Sequence, residues 1–350
     1  MLLLVASTSA SAQESWPSPE VAQAYRHAQE YMVRADYNDA ITTYKQAILL
    51  APGKTVLYKE LGNVLYLSGK YKEAEQTLTP VCAKSGADAS CFQMLAASEA
   101  AQGKNKEGLS TLKDGLKRFS SSGLLYHEQG NILFHENKKE AAVNAWLNGI
   151  AKEPAYAPNY YEATITYLGA SKTIWGLLYG EMYLDMPHDT TNDSLLKGKL
   201  FTGYKKMFDG FATDAPQYGK SQTSKPAKSF EEAVLQTYSQ LTPVVSDGIT
   251  TENLTMVRTR FLMDWFSTYG NKYPFSLFAY QDTLIKYGRF DIWNEWIFGK
   301  TESETEYNAW NTFHEGAINR TIDWQTKHPF RPSIPDNYNN REMDGIFYKK

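Results

Sequence analysis

The stretch YKELGNVLYLSGKYKEAEQTL, Tyr58 to Leu78, decides the fold. It reads as two helices joined by a turn at Gly69, where a positive φ costs little without a Cβ. Gly62 and Ala74 are small where the helical pattern would accept something larger. Such residues are expected where two antiparallel helices bring their backbones closest together, because a bulkier group there would overpack at roughly 1–3 kcal/mol. Tyr58, Leu65 and Leu78 are the knobs that fill the space beside them.

The pattern recurs along the chain. Ala40, Ala74, Gly108 and Ala142 are each 34 residues apart, and Ala28, Gly62, Ala96 and Gly130 lie twelve places before them. Tyr44, Leu78, Leu112 and Trp146 fall four places after. The turn position of Gly69 is repeated at Gly103, with Ala35 and Asn137 as poorer versions. Pro52 and Pro154 close the first and fourth units, and Pro80 should bend or shorten its helix because it removes a backbone donor. Four units agree without an insertion.

This repeat resembles the tetratricopeptide repeat family over residues 18–188. A looser fifth unit, Ala157 to Pro187, keeps Tyr160, Tyr167 and Gly176 in register. The resemblance implies an all-α superhelix of about five helix-turn-helix units, because no unit buries its apolar face alone and neighbours must stack. It also implies a concave groove, lined by the first helix of each unit, that holds a protein or peptide partner. Carried over by register, the groove residues are Tyr25, Gln29, Met32, Val33, Lys59, Asn63, Tyr66, Gln93, Ala97, His127, Asn131, Phe134, His135 and Tyr161. Lys59 and Asn63 match the start of the carboxylate clamp of some co-chaperones of this family. Met94, Leu124 and Glu128 stand where that clamp needs an amide and two basic groups, so that specificity is rejected.

The register fades near Thr190, but the remainder still reads as helical. A helix is expected to end near Gly210, followed by a polar linker to Lys228. An aromatic-rich helical domain should then fill 229–350. Its elements are a helix capped by Ser229 and Glu232, one ending at Gly270, one from Pro274 to Gly288, and a short one ending at Gly299. A long last helix, capped by Thr301 and Glu304, should run to about Lys327, with an extended proline-bearing tail laid across the helices. Trp265, Phe266, Trp293, Trp296, Trp310 and Trp324 recur at helical spacing, which suits a core. The other reading is a platform stacking on sugar rings, by similarity to glycan-binding proteins of SusD type, which are also built on such helices.

Composition narrows the function. A net charge of −3 gives no basic footprint for nucleic acid, and a mean hydropathy of −0.48 goes with no membrane span past residue 12. The opening MLLLVASTSASAQES has a short apolar run ending in Ala10-Ser11-Ala12, the form of a signal-peptidase site, so residues 1–12 are read as an export signal to the periplasm or envelope. Cys82 and Cys91 are either a disulfide, worth roughly 2–3 kcal/mol by loop closure, or a pair of buried thiols. His127 and His135, two turns apart around Asn131, read as surface or partly packed residues. His188, Asp189 and Asp193 read as loop polar groups and not as a metal site. Nucleophile elbows, metalloprotease helices and phosphate loops are all missing from the sequence, and the carboxylate pair Glu231–Glu232 suits a helix start. The expectation is therefore a scaffold without catalysis, cofactor or metal.

Overall fold

A computed structural model of the protein describes residues 16–170, 173–213, 215 and 226–333. The expected export signal, most of the linker and most of the tail lie outside these. The chain forms two compact units, Met1–Lys152 and Glu153–Lys350, and no strand occurs among the described residues.

The first unit is a run of helix pairs: α1 (Pro19–Val33) with α2 (Tyr37–Leu50), α3 (Thr55–Leu67) with α4 (Tyr71–Cys82), α5 (Ala89–Ala101) with α6 (Asn105–Arg118), and α7 (Gly123–His135) with α8 (Lys139–Lys152). α2, α4 and α6 each pack on the first helix of the next pair, and α5 also meets α7. The small and large register positions interlock as the spacing predicts. Ala28, Ala74, Ala96 and Ala142 are wholly buried, as are Tyr44, Leu78 and Leu112. A Cβ at Gly62 would lie 2.5 Å from the Leu78 side chain. At Gly130 it would collide with the Trp146 indole. Pro80 sits inside α4, which spans 12 residues against 14 for α2, α6 and α8.

The four turns are left-handed at the same register position: Ala35 φ 59, Gly69 φ 77, Gly103 φ 79 and Asn137 φ 60. Each accompanies the same closure, in which the amide one place on bonds back to the helix: Asp36 N to Tyr31 O at 2.9 Å, Lys70 N to Leu65 O at 2.8 Å, Lys104 N to Glu99 O at 3.0 Å and Lys138 N to Leu133 O at 2.9 Å. An alanine held left-handed costs roughly 1–2 kcal/mol, more than the ~0.5–1 kcal/mol of extra unfolded-state entropy a glycine brings. Ala35→Gly should therefore stabilise the first unit by up to ~1 kcal/mol, read as a higher urea midpoint with an unchanged slope. Asn137→Gly should gain less, because asparagine tolerates this conformation.

In the second unit, α9 (Pro158–Leu168) and α10 (Thr173–Asp185) form one more pair. Every residue of α10 is buried, so it is a core helix on all sides. α11 (Asp193–Ala212) follows, then α12 (Phe230–Ser239), α13 (Thr251–Thr268), α14 (Ser276–Lys286), α15 (Phe290–Asn294), a π turn over Glu295–Gly299, α16 (Lys300–Glu302) and α17 (Glu304–Lys327).

Three sequence expectations change here. The short aromatic helix does not stop at Gly299, because the π turn carries it on to Glu302. The cap of α17 is Ser303, whose Oγ accepts from the Glu306 amide at 3.3 Å, and not Thr301. The register does not end at Thr190. α11 packs on α9 and α10 as α7 packs on α5 and α6, and is a sixth first helix without a repeat-type second one. Ser229 does cap α12, accepting from Glu232 N at 3.1 Å, while the Glu232 carboxylate takes the Lys228 amide at 2.6 Å.

Candidate functional site

Candidate binding residues in the first unit lie on α1, α3, α5 and α7. Several are tied into their own framework. Gln29 donates to the Tyr44 hydroxyl at 2.7 Å, and Tyr25 packs its ring 4.6 Å from Trp16 and 6.2 Å from Tyr44. Met32 packs against the core of the first two pairs, and Ala97 is itself buried. Lys59 is held by Asp88 at 2.9 Å. Others remain open. Val33 is 72% and Phe134 42% exposed, His135 is exposed, and Asn63, Tyr66, Gln93 and Asn131 are half-buried.

Polar groups gather around Glu128. Gln93 donates to it at 2.8 Å. Burial raises its carboxyl above the usual carboxylate range, against the Gln93 bond and the nearby His135. Tyr66 is raised by burial and then by Glu128. His127 is half-buried, and desolvation lowers its ring to about 4, so it is neutral at physiological pH. Asn131 Nδ2 lies 3.4 Å from its Nδ1. The sequence reading placed Glu128 as a mismatch to the carboxylate clamp and missed its part in this cluster.

In the second unit, Tyr161 lies 5.5 Å from the Tyr183 ring. Advancing the groove positions by 34 reaches Leu195, Lys199, Thr202 and Gly203, and these line a cavity of about 430 Å³ with Ile165, Leu168 and Gly169. The cavity thus lies between α9 and α11 at groove register. The sequence does not mark these residues, because no second helix of repeat spacing follows α11 to show that the register continues.

The core of this unit holds a polar network. Glu181 Oε2 accepts from Arg258 at 2.7 Å and from Gln281 at 2.6 Å, and its other oxygen takes the Tyr204 hydroxyl. Arg258 also donates to Asn294, which is anchored by its own amide on Phe290 O at 2.7 Å. All of these side chains are buried. One turn on from Glu181, both Asp185 oxygens are buried without a well-formed hydrogen bond. Burial and then the Glu181 charge hold the Asp185 carboxyl well above its usual range, against Arg258 and Trp293. Burial and then the same carboxyl raise the Tyr280 hydroxyl on α14.

A carboxyl raised on folding contributes stability that is full below its unfolded value and is lost as pH rises toward its folded value. Asp185→Asn should therefore leave stability at pH 4 nearly unchanged and raise it increasingly from pH 5 to 8. Urea unfolding across that range, with a wild-type and variant gap independent of pH, would count against the assignment.

The aromatic residues divide. Trp265 and Trp293 are buried, so the core reading holds for them. Trp296, Trp310 and Trp324 are half-buried, and Phe266 is exposed. Trp324 shares a cavity of about 390 Å³ with Tyr280, Tyr287 and Phe330. His188 bonds Asp193 at 2.8 Å, while Asp189 caps the following turn through Thr191 N at 2.8 Å. No group of three or more metal-ligating side chains occurs among the described residues, and no helix among them is long and apolar enough to cross a membrane. Cys82 and Cys91 are joined as a disulfide, with their Cα atoms 5.6 Å apart.

Residues 25–87 match the tetratricopeptide repeat family. No curated protein matches. Among solved structures, MamA is 16% identical with a TM-score of 0.36, covering 43% of this chain and 89% of its own. YrrB, a TPR protein with an unusual peptide-binding site, is 19% identical with a TM-score of 0.34, over 49% and 87%. A tetratricopeptide repeat protein from Parabacteroides merdae ATCC 43184 is 13% identical with a TM-score of 0.40, over 73% and 95%. These likenesses are too loose to transfer a partner.

Proposed function

We propose that the protein is an exported, non-catalytic scaffold that grips a peptide or helix of another envelope protein on the faces of its first helices. The observation that carries this is the open side of α3, α5 and α7. There Tyr66 and Phe134 present aromatic surface beside hydrogen-bonding Gln93, Glu128 and Asn131, on repeats whose small residues serve only to pack. The disulfide suits an oxidising compartment, in keeping with the leader-like opening. The test is a pull-down from envelope extract with wild type and a Tyr66→Ala/Phe134→Ala variant. A partner held by wild type and lost with the variant is expected. Equal recovery by both, or none by either, overturns the reading.

A second reading, glycan binding, is favoured by the cavity holding Tyr280, Tyr287, Trp324 and Phe330. Sugar stacking there would shift tryptophan emission in a titration with oligosaccharides. An unshifted spectrum across the panel would remove it.

A further inference from the structure

The cavity between α9 and α11 has a chemistry of its own. Its floor is aliphatic, from Ile165, Leu168 and Leu195, the last of these 55% exposed. Lys199 and Lys206 also line it, and no carboxylate among the described residues does. Both lysines are exposed, and neither makes an ion pair or hydrogen bond among the described residues. That sets them apart from Lys59, Lys104 and Lys138 of the first unit, which are each held by a carboxylate. Gly198 leaves room for close approach, since a Cβ there would meet only the Thr301 methyl at 3.9 Å.

We propose that this cavity binds an acidic amphipathic helix of a partner protein, with carboxylates seven residues apart on Lys199 and Lys206 and aliphatic side chains between them on the Ile165–Leu168–Leu195 floor. The spacing selects the helix. Lys199 and Lys206 stand about 10.5 Å apart along α11. Helical residues seven apart repeat that distance and point the same way. Strand residues about 10 Å apart are three apart in sequence and point to opposite faces. Nucleic acid would also bring negative charge, but no aromatic ring among the described residues lines the cavity for bases to stack on, and an aliphatic floor offers phosphate nothing. The inference rests on the scaffold reading and names the chemistry of the partner at this end of the repeat register.

The test pans a helical peptide library on the immobilised full-length protein, then re-measures each binder by fluorescence anisotropy on wild type and on Lys199→Glu/Lys206→Glu. Both lysines are exposed, and circular dichroism confirms that the variant is folded. The expected result is a class of binders that loses tenfold or more on the variant, weakens with added salt, and carries acidic residues at i and i+7 with Leu, Ile or Val at i+3 or i+4. Exchanging those acids for lysine should restore binding to the variant and abolish it on wild type. The proposal is overturned if no binder distinguishes the two proteins, if the sensitive binders lack the acidic pair, or if a single-stranded DNA oligonucleotide displaces them while polyglutamate does not. The two readings fail separately. Loss of the partner with the Tyr66/Phe134 variant alongside charge-indifferent peptides defeats only the acidic-helix assignment. Equal partner capture by wild type and that variant defeats the scaffold reading itself.

Discussion

Arg258→Met is expected to cost the second unit roughly 3–5 kcal/mol, the range for breaking a buried ion pair by removing one partner. Glu181 would be left as a buried carboxylate with only Gln281 and Tyr204 as donors, and Asn294 would lose the guanidinium it accepts from. Domains are stable by about 5–15 kcal/mol in all, so this one change removes roughly a fifth or more of the reserve. It should appear as a lower, broader thermal transition by circular dichroism. Glu181→Leu combined with Arg258→Met removes both charges and should recover part of the loss. Recovery would be incomplete because Gln281 and Tyr204 lose their acceptor. An Arg258→Met protein that melts with wild type would show that the network does not hold the unit together.

The second large effect lies at the close approach of α7 and α8. Trp146 is buried over Gly130, and its Nε1 donates to the His127 carbonyl at 3.3 Å. Trp146→Ala should cost ~3–5 kcal/mol as a cavity mutation. Gly130→Ala, pushing a methyl into the indole, should cost ~1–3 kcal/mol. The repeat itself supplies the compensation, because the preceding unit pairs Ala96 with Leu112 at the same positions. Gly130→Ala with Trp146→Leu should therefore be less destabilising than the sum of the two single changes, and a double-mutant cycle by urea unfolding measures the difference. A strictly additive pair would mean that the two positions do not pack as a unit.

These predictions also mark how far the amino-acid order could be read. Positions that repeat were legible, because a fixed period turns one local constraint into four independent instances. The left-handed turns at Ala35, Gly69, Gly103 and Asn137 and the small–large pairing belong to this class. The pairing of Glu181 with Arg258 was not legible. The two lie far apart in sequence, on helices without a common period, and a glutamate in an apolar helix carries no mark of its partner. α11 was misplaced for a related reason. It keeps the first-helix register at Leu195, Lys199, Thr202 and Gly203, but the helix that follows has no repeat spacing, so the period is not visible beyond it. At α17, Thr301 and Ser303 are both capping residues with a glutamate three places on. The choice between them was made by the π turn, which keeps the chain helical through Thr301.

The bond between Cys82 and Cys91 ties the last residue of α4 to the first turn of α5. Stacked arrays contact only their neighbours, so they come apart from an end inward. A pull on the N-terminus would peel α1 to α4 away in sequence, and the crosslink would then pass the load straight from Cys82 to Cys91, so the chain it closes cannot lengthen. In a reducing medium that shortcut disappears. The closed segment would then pay out as well, so the length released as the array ravels is set partly by the redox state around it.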